Sequence, residues 1–482
     1  MAYSVAQNTT FLTVASVAQK IISFAYFTFV ARMIGVGNTG AYFFAISFTT
    51  IFTVVADFGM GPVLTREAAK YPEKSEAYLT TVFFTKFVFG LAAYALVLLF
   101  VYLLGYSSEL RLLVYLSGIT MLFDNLQTAF FSIFRARKNL VYESVGMVAA
   151  QFLTLIIGTI ALLNHAPLYW LIIAYTIPSF LNMLYAGFFV RRVYGIPRYW
   201  LFDSAIFKSF LLIALPFALA GIIGRLYSYS DSILMSKLLS PEHLGWWSVP
   251  YKITFAFQFI PIALSASVYP VMSALSVADP GKIGALFEKS WRYLFIIVFP
   301  LALGLAVLAK PFIATLYGAH YSPSVAVLQI LAFSLIFGYL SFINGALLNA
   351  TNHQKTQTGI LTAALVSNLI LNVILIPRFD IRGAAMAAVV SNAILCCGGF
   401  YFARRFSAIN GEKIFKYLNQ ALWPALAMSL VVYFFSKKLH FIFMVPIGAV
   451  IYFALLLVTG GMSKEMIVKA VGKVWKPKQN LI

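Results

Sequence analysis

Acidic residues are scarce in this chain: 15 Asp and Glu in 482 residues, against 35 Lys and Arg. All charged residues together make up only 10% of the sequence. Soluble globular domains carry about 25%, so the composition excludes an ordinary soluble protein. Cysteine is scarcer still. Cys396 and Cys397 are the only two. Neighbouring cysteines make a poor structural disulfide, so no disulfide framework is expected. The five histidines stand singly, and no glycine-rich phosphate loop is present. No metal and no cofactor are therefore expected. The formal charge of +20 raises nucleic acid as a partner. The placement of the basic residues argues against it, because most fall at alternate connections between apolar runs.

Those runs are what the chain has in abundance. Hydrophobic residues make up 61% of it. A run of about 20 apolar residues crosses a bilayer as a helix. Fourteen such runs can be traced, beginning with 8–34 and 40–64. They are continuous rather than alternating in polarity, which argues against a β-barrel. The expectation is an all-α integral membrane protein with 14 transmembrane helices. The Lys and Arg asymmetry puts both termini in the cytoplasm. The first ten residues hold no Lys or Arg, so the first run reads as an uncleaved span rather than a signal peptide.

Residues 217–240 organise the rest. This apolar run carries Arg225 and Asp231. A charge near the bilayer centre costs about 2.5–3.5 kcal/mol on insertion scales. The first run holds Lys20 and Arg32. Lys20 and Arg225 are 205 residues apart, as are Arg32 and Lys237, and Gly40 and Gly245. Arg191 and Arg404 are separated by 213. One duplication with small insertions accounts for these intervals. It divides the chain into a six-helix lobe at 1–200, a pseudo-symmetric six-helix lobe at 201–410, and helices 13–14 with a basic tail at 411–482. Residues 193–208 read as the linker, and Lys464, Lys469, Lys473, Lys476 and Lys478 mark the tail. Helices 1–6 and 7–12 then have the same orientation, as in a parallel repeat.

The segments FVARMIGVGNTGAYFFAISF at 29–48 and ADFGMGPVLTREAA at 56–69, with the 6 + 6 + 2 plan, carry a family likeness. The chain resembles polysaccharide-transporter family flippases of the multidrug/oligosaccharidyl-lipid/polysaccharide superfamily, over nearly its whole length. The resemblance implies a cell-membrane (inner or cytoplasmic) flippase for polyprenyl-(pyro)phosphate-linked oligosaccharides, such as those of O-antigen type. It implies alternating access through a central cavity between two lobes. It implies membrane lipids and other polysaccharide-assembly proteins as partners, and no enzyme activity.

On that reading, Lys20 and Arg225 receive the substrate's phosphates, Arg as a planar fork and Lys as a point charge. Lys252 adds a third cation, and Tyr229, within the polar run 227–232, faces the sugar. Lys86 reads as a side chain snorkelling toward the cytoplasm. Asp57, Asp124 and Asp231 are ion-coupling sites or ion-pair partners. The bland alternative is a set of interhelical ion pairs such as Lys20 with Asp57, with Asp231 simply solvated. Two other functions compete. An ion-coupled multidrug antiporter favours an acidic cavity. A membrane-embedded sugar polymerase or transferase usually presents a sizeable catalytic outer loop, and the outer loops here are short.

Overall fold

The computed structural model describes residues 5–197, 202–436 and 439–462. The centre of the expected linker, 198–201, and the basic tail lie outside them. The described residues form α-helices and two single 3-10 turns, with no strand. The helices are α1 (Val5–Asp57), α2 (Met60–Lys70), α3 (Ser75–Leu103), α4 (Ser108–Ala136), α5 (Val141–Leu163), α6 (Tyr169–Tyr194) and α7 (Ser204–Leu238). They continue as α8 (Pro241–Phe257), α9 (Phe259–Ala278), α10 (Gly281–Leu316), α11 (Ser324–Ala350), α12 (Gln354–Phe406), α13 (Gly411–Phe435) and α14 (Phe441–Val458). Among the described residues, 11 helical stretches are long and apolar enough to cross a membrane. The chain is a multi-pass membrane protein. α4 falls outside that set, with Asp124, Asn125 and Gln127 lowering the hydropathy of its middle.

At 53 residues, α1 would reach about 80 Å, far beyond a bilayer. It is divided at Gly35, whose φ of 77° suits a residue without Cβ. Polar neighbours take up carbonyls at the break: Asn38 donates to Ile34 at 3.0 Å and Thr39 to Gly35 at 2.7 Å. The expected GVGNT turn is thus present. α12 is divided in the same way at Asp380, with φ 51°.

Contacts group the chain into two compact units, Met1–Ser248 and Val249–Ile482. In the first, α7 packs on α1, α2 and α3. Packing therefore places α7 with the N-terminal helices, whereas the repeat assigns it to the second lobe. Connections of this unit gather into two sets. Asn8 bonds the 138–140 turn through Lys138 O and Leu140 N, and Arg137 donates to Pro72 O at 2.9 Å. The opposite set is brought together in a groove lined by Gly35, Asn38, Ser107, Glu109, Leu168, Pro241 and Glu242. Alternate connections thus share a side, as successive membrane crossings require. Gly40 and Gly245 meet here as well. A Cβ on Gly40 would lie 2.0 Å from Pro241 O, and one on Gly245 would lie 2.1 Å from Val36 O. Val36 and Pro241 are themselves 205 apart, so the contact is reciprocal.

The second unit is built around an aromatic core on α10, where Phe287, Trp291, Phe295 and Phe299 are buried and Phe400 of α12 packs on Trp291. α13 packs along α10. Arg292 of α10 holds the end of α14 by donating to Gly461 O at 2.8 Å.

Candidate functional site

The site begins with a break in the second membrane run. Phe58 has φ 46° and Gly59 φ 71°, separating α1 from α2. A bulky residue at positive φ is strained and persists only where its surroundings hold it. Gly59 is required twice over, since a Cβ there would meet Ala214 O of α7 at 2.8 Å. A broken helix leaves backbone groups that lipid cannot satisfy, so neighbouring side chains must. α4 supplies them. Asn125 donates to Ala56 O at 3.1 Å, and Ser132 donates to Gly61 O at 3.2 Å.

Asp57, the last residue of α1, is held by Lys86 of α3, a lysine with 0% exposure. Lys86 also donates to Thr128 Oγ1 at 2.6 Å and to Asn125 O at 3.2 Å. Its three N–H groups thus have an acceptor each. Lys86 does not snorkel, as the sequence suggested; the break supplies a carboxylate and α4 two further acceptors, making burial cheaper than reaching for water. The Lys20–Asp57 pairing is likewise replaced by Lys86–Asp57.

Beside this network lies a cavity of about 500 Å³. Its charged lining is Asp57, Asp124, Arg135 and Arg225, with Asn125, Thr128 and Ser132 between. Phe217, Gly221 and Arg225 line it at intervals of four along α7, so one face of that helix closes it. Arg135 is pinned by Glu143 of α5, with Nε donating to Oε2 at 2.9 Å and Nη2 to Oε1. The wall is zwitterionic, and two of its charges are already committed to partners.

Of the residues singled out in the sequence, the fold brings Asp57, Asp124 and Arg225 to one cavity. Lys20, half-buried on α1, does not line it, nor do Tyr229 and Asp231. Asp231 is buried at 6% exposure, which overturns the solvated alternative. Lys252 belongs to the second unit. Sequence reasoning missed the Arg135–Glu143 pair, because Arg135 within RARKN reads as a topogenic exit charge. The available signal was Glu143, a lone acid in a strongly basic connection.

The polysaccharide biosynthesis protein family matches residues 5–276. The chain is 24% identical over 391 residues to the probable low-salt glycan biosynthesis flippase Agl15 of Haloferax volcanii, covering 80% of each. It is 22% identical to the capsular polysaccharide biosynthesis protein CapF of Staphylococcus aureus, covering 83% of this chain and 99% of CapF. In fold it is similar to the lipid II flippase MurJ in an inward closed conformation, with TM-score 0.76, 18% identity, and 95% and 99% of the two chains covered. With more than half its length matched, the chain belongs to the polysaccharide biosynthesis protein family, the polysaccharide-transporter flippases its sequence resembles.

Proposed function

We propose that this protein is a flippase that moves polyprenyl-(pyro)phosphate-linked oligosaccharides across the cell membrane for surface polysaccharide synthesis. The observation that carries the reading is a cavity within membrane-crossing helices whose wall offers arginine beside Asp, Asn, Thr and Ser. Arginine matches phosphate oxygens, while carboxylates and amides accept from sugar hydroxyls. Arg225 is the phosphate ligand, and Lys20, Lys252 and Tyr229 are the further substrate contacts of this reading. Asp57 is spent on Lys86, which disfavours a cation antiporter that would need it free. That leaves Asp124 and the buried Asp231 as the candidate acids for coupling to an ion.

Fourteen crossings follow when α1 and α12 are each divided at their breaks, α2 continues the second run, and α8–α9 form one crossing. The set of connections holding Lys74, Arg137 and Lys138 is the basic one, so it faces the cytoplasm together with both termini. A cysteine placed at Asn38 is then labelled from outside, and one placed at Arg137 is not. The reverse pattern overturns the topology.

The direct test uses purified protein in liposomes with a polyprenyl diphosphate oligosaccharide in one leaflet. Protection of the glycan from an external glycosidase reports its movement. Translocation no faster than in protein-free liposomes sinks the proposal.

A further inference from the structure

Arg135 and Arg225 line one cavity at different levels: Arg135 follows Ser132, which bonds Gly61 O, whereas Arg225 lies one turn beyond Gly221, which packs at Val54. Asp124 shares the cavity with Arg225, and along α4 eleven residues, about 16 Å, separate it from Arg135. Arg135 lies at the end of α4, beside the basic 135–138 turn. Its guanidinium is not a loose surface charge. Glu143, with a side chain only 3% exposed, takes up the Nε–Nη2 edge, while the Arg135 side chain remains 44% exposed. A guanidinium offers five N–H donors in a rigid plane, so fixing one edge orients the other. A donor already held in place loses little freedom when an anion arrives, which favours its binding.

We infer that Arg135 is the loading station of this cavity, capturing the diphosphate of a polyprenyl-linked substrate before it passes inward to Arg225. The inference rests on the flippase reading above. It adds an order of events: Arg135 sets how fast the anion is captured, and Arg225 sets how long it stays. The same wall holds Asn125, Thr128 and Ser132, together with Asp57, which Lys86 neutralises, and Asp124. Glu143 acts through Arg135 as a positioning residue.

The test is stopped-flow binding of farnesyl diphosphate, labelled with a fluorophore on its isoprenoid, to the full chain in phosphatidylcholine nanodiscs. Labelled farnesol is the uncharged control. Removing Arg135 alone would strand a buried carboxylate and destabilise the unit, so the informative variant is the double Arg135→Gln/Glu143→Gln, which leaves a neutral hydrogen-bonding pair. The expected result is an association rate reduced about tenfold for the diphosphate, unchanged for farnesol, with the dissociation rate within about twofold of wild type. Arg225→Ala should do the opposite, accelerating dissociation while leaving association nearly intact. If Arg135 serves only to neutralise Glu143, the double variant binds the diphosphate as fast as wild type, and the loading role is overturned while wild-type preference for diphosphate over farnesol upholds the flippase reading. If wild type itself does not distinguish the two probes, both ideas fall.

Discussion

The break beside Asp57 in the first unit and the α10–α11–α12 core of the second solve the same problem with different chemistry. Both must hold helices together where lipid removes any hydrophobic advantage of association. The first unit buries ionised groups: Lys86 on Asp57, and Glu143 under Arg135. The core of the second relies on aromatic packing and amides. Across the α11–α12 pair, Asn344 donates to Cys396 O at 2.9 Å and Asn392 donates to Ser334 Oγ at 2.8 Å. Its buried Glu288 accepts from Asn410 N at 2.7 Å and pairs with Lys413 at 3.6 Å, at the α12–α13 connection rather than among those amides. A neutral amide can hold a helix pair without committing the site to any ion. A buried ion pair is a poor route to stability, since its desolvation roughly cancels its attraction. Its presence beside a helix break and a cavity therefore points to function, and discontinuous membrane helices are where transporters bind their cargo.

Four substitutions sharpen or break that contrast. The largest effect is expected at Arg225. Arg225→Ala should abolish surface glycan in a complemented deletion strain while immunoblots show near-normal membrane abundance. Arg225→Lys should retain part of it, because a point charge cannot reproduce two parallel hydrogen bonds. Normal export by a stably inserted Arg225→Ala protein would leave the cavity without its anion ligand.

Next comes Lys86→Met, which strands Asp57. Asp57 is 32% exposed, so the cost should fall below the about 3–5 kcal/mol of breaking a fully buried pair. The purified variant should melt well below wild type, and Lys86→Met/Asp57→Asn should recover most of the loss. No recovery in the double variant would mean that Lys86 acts through Asn125 and Thr128 rather than through the carboxylate.

In the second unit the effects should be smaller and confined to stability. Ile343 is fully buried in the aromatic core, so Ile343→Val should cost about 0.5–1.5 kcal/mol in thermal melts, with export unchanged. Asn344→Ala removes a single interhelical hydrogen bond, worth about 0.6 kcal/mol on average in membrane proteins. A loss of export at either position, with abundance intact, would show that the second unit is more than a scaffold at this layer.

The glycine pair shows how much the sequence carries. Gly40 and Gly245 can be matched by their interval alone, and in the fold they touch reciprocally. Each position needs a residue without Cβ, because a neighbouring backbone carbonyl comes too close for any other. The Lys86–Asp57 pair cannot be matched that way. It depends on which face of α3 meets the end of α1, and a helix of nearly uniform hydrophobicity gives no periodic signal for its buried face.

By itself, then, the sequence determined the membrane class, the turn at Gly35 and the presence of charges inside apolar runs. These are local or compositional properties, written in hydropathy, in glycine and in charge. Only the tertiary structure decided which charges meet. Asp57 went to Lys86 rather than Lys20, Arg135 was drawn from the connection onto the cavity wall, and α7 joined the first unit. Each outcome turns on helix rotation and on the carbonyls exposed at Phe58–Gly59. Those are set by the sum of packing contacts across segments far apart in the chain, which no stretch of sequence read alone contains.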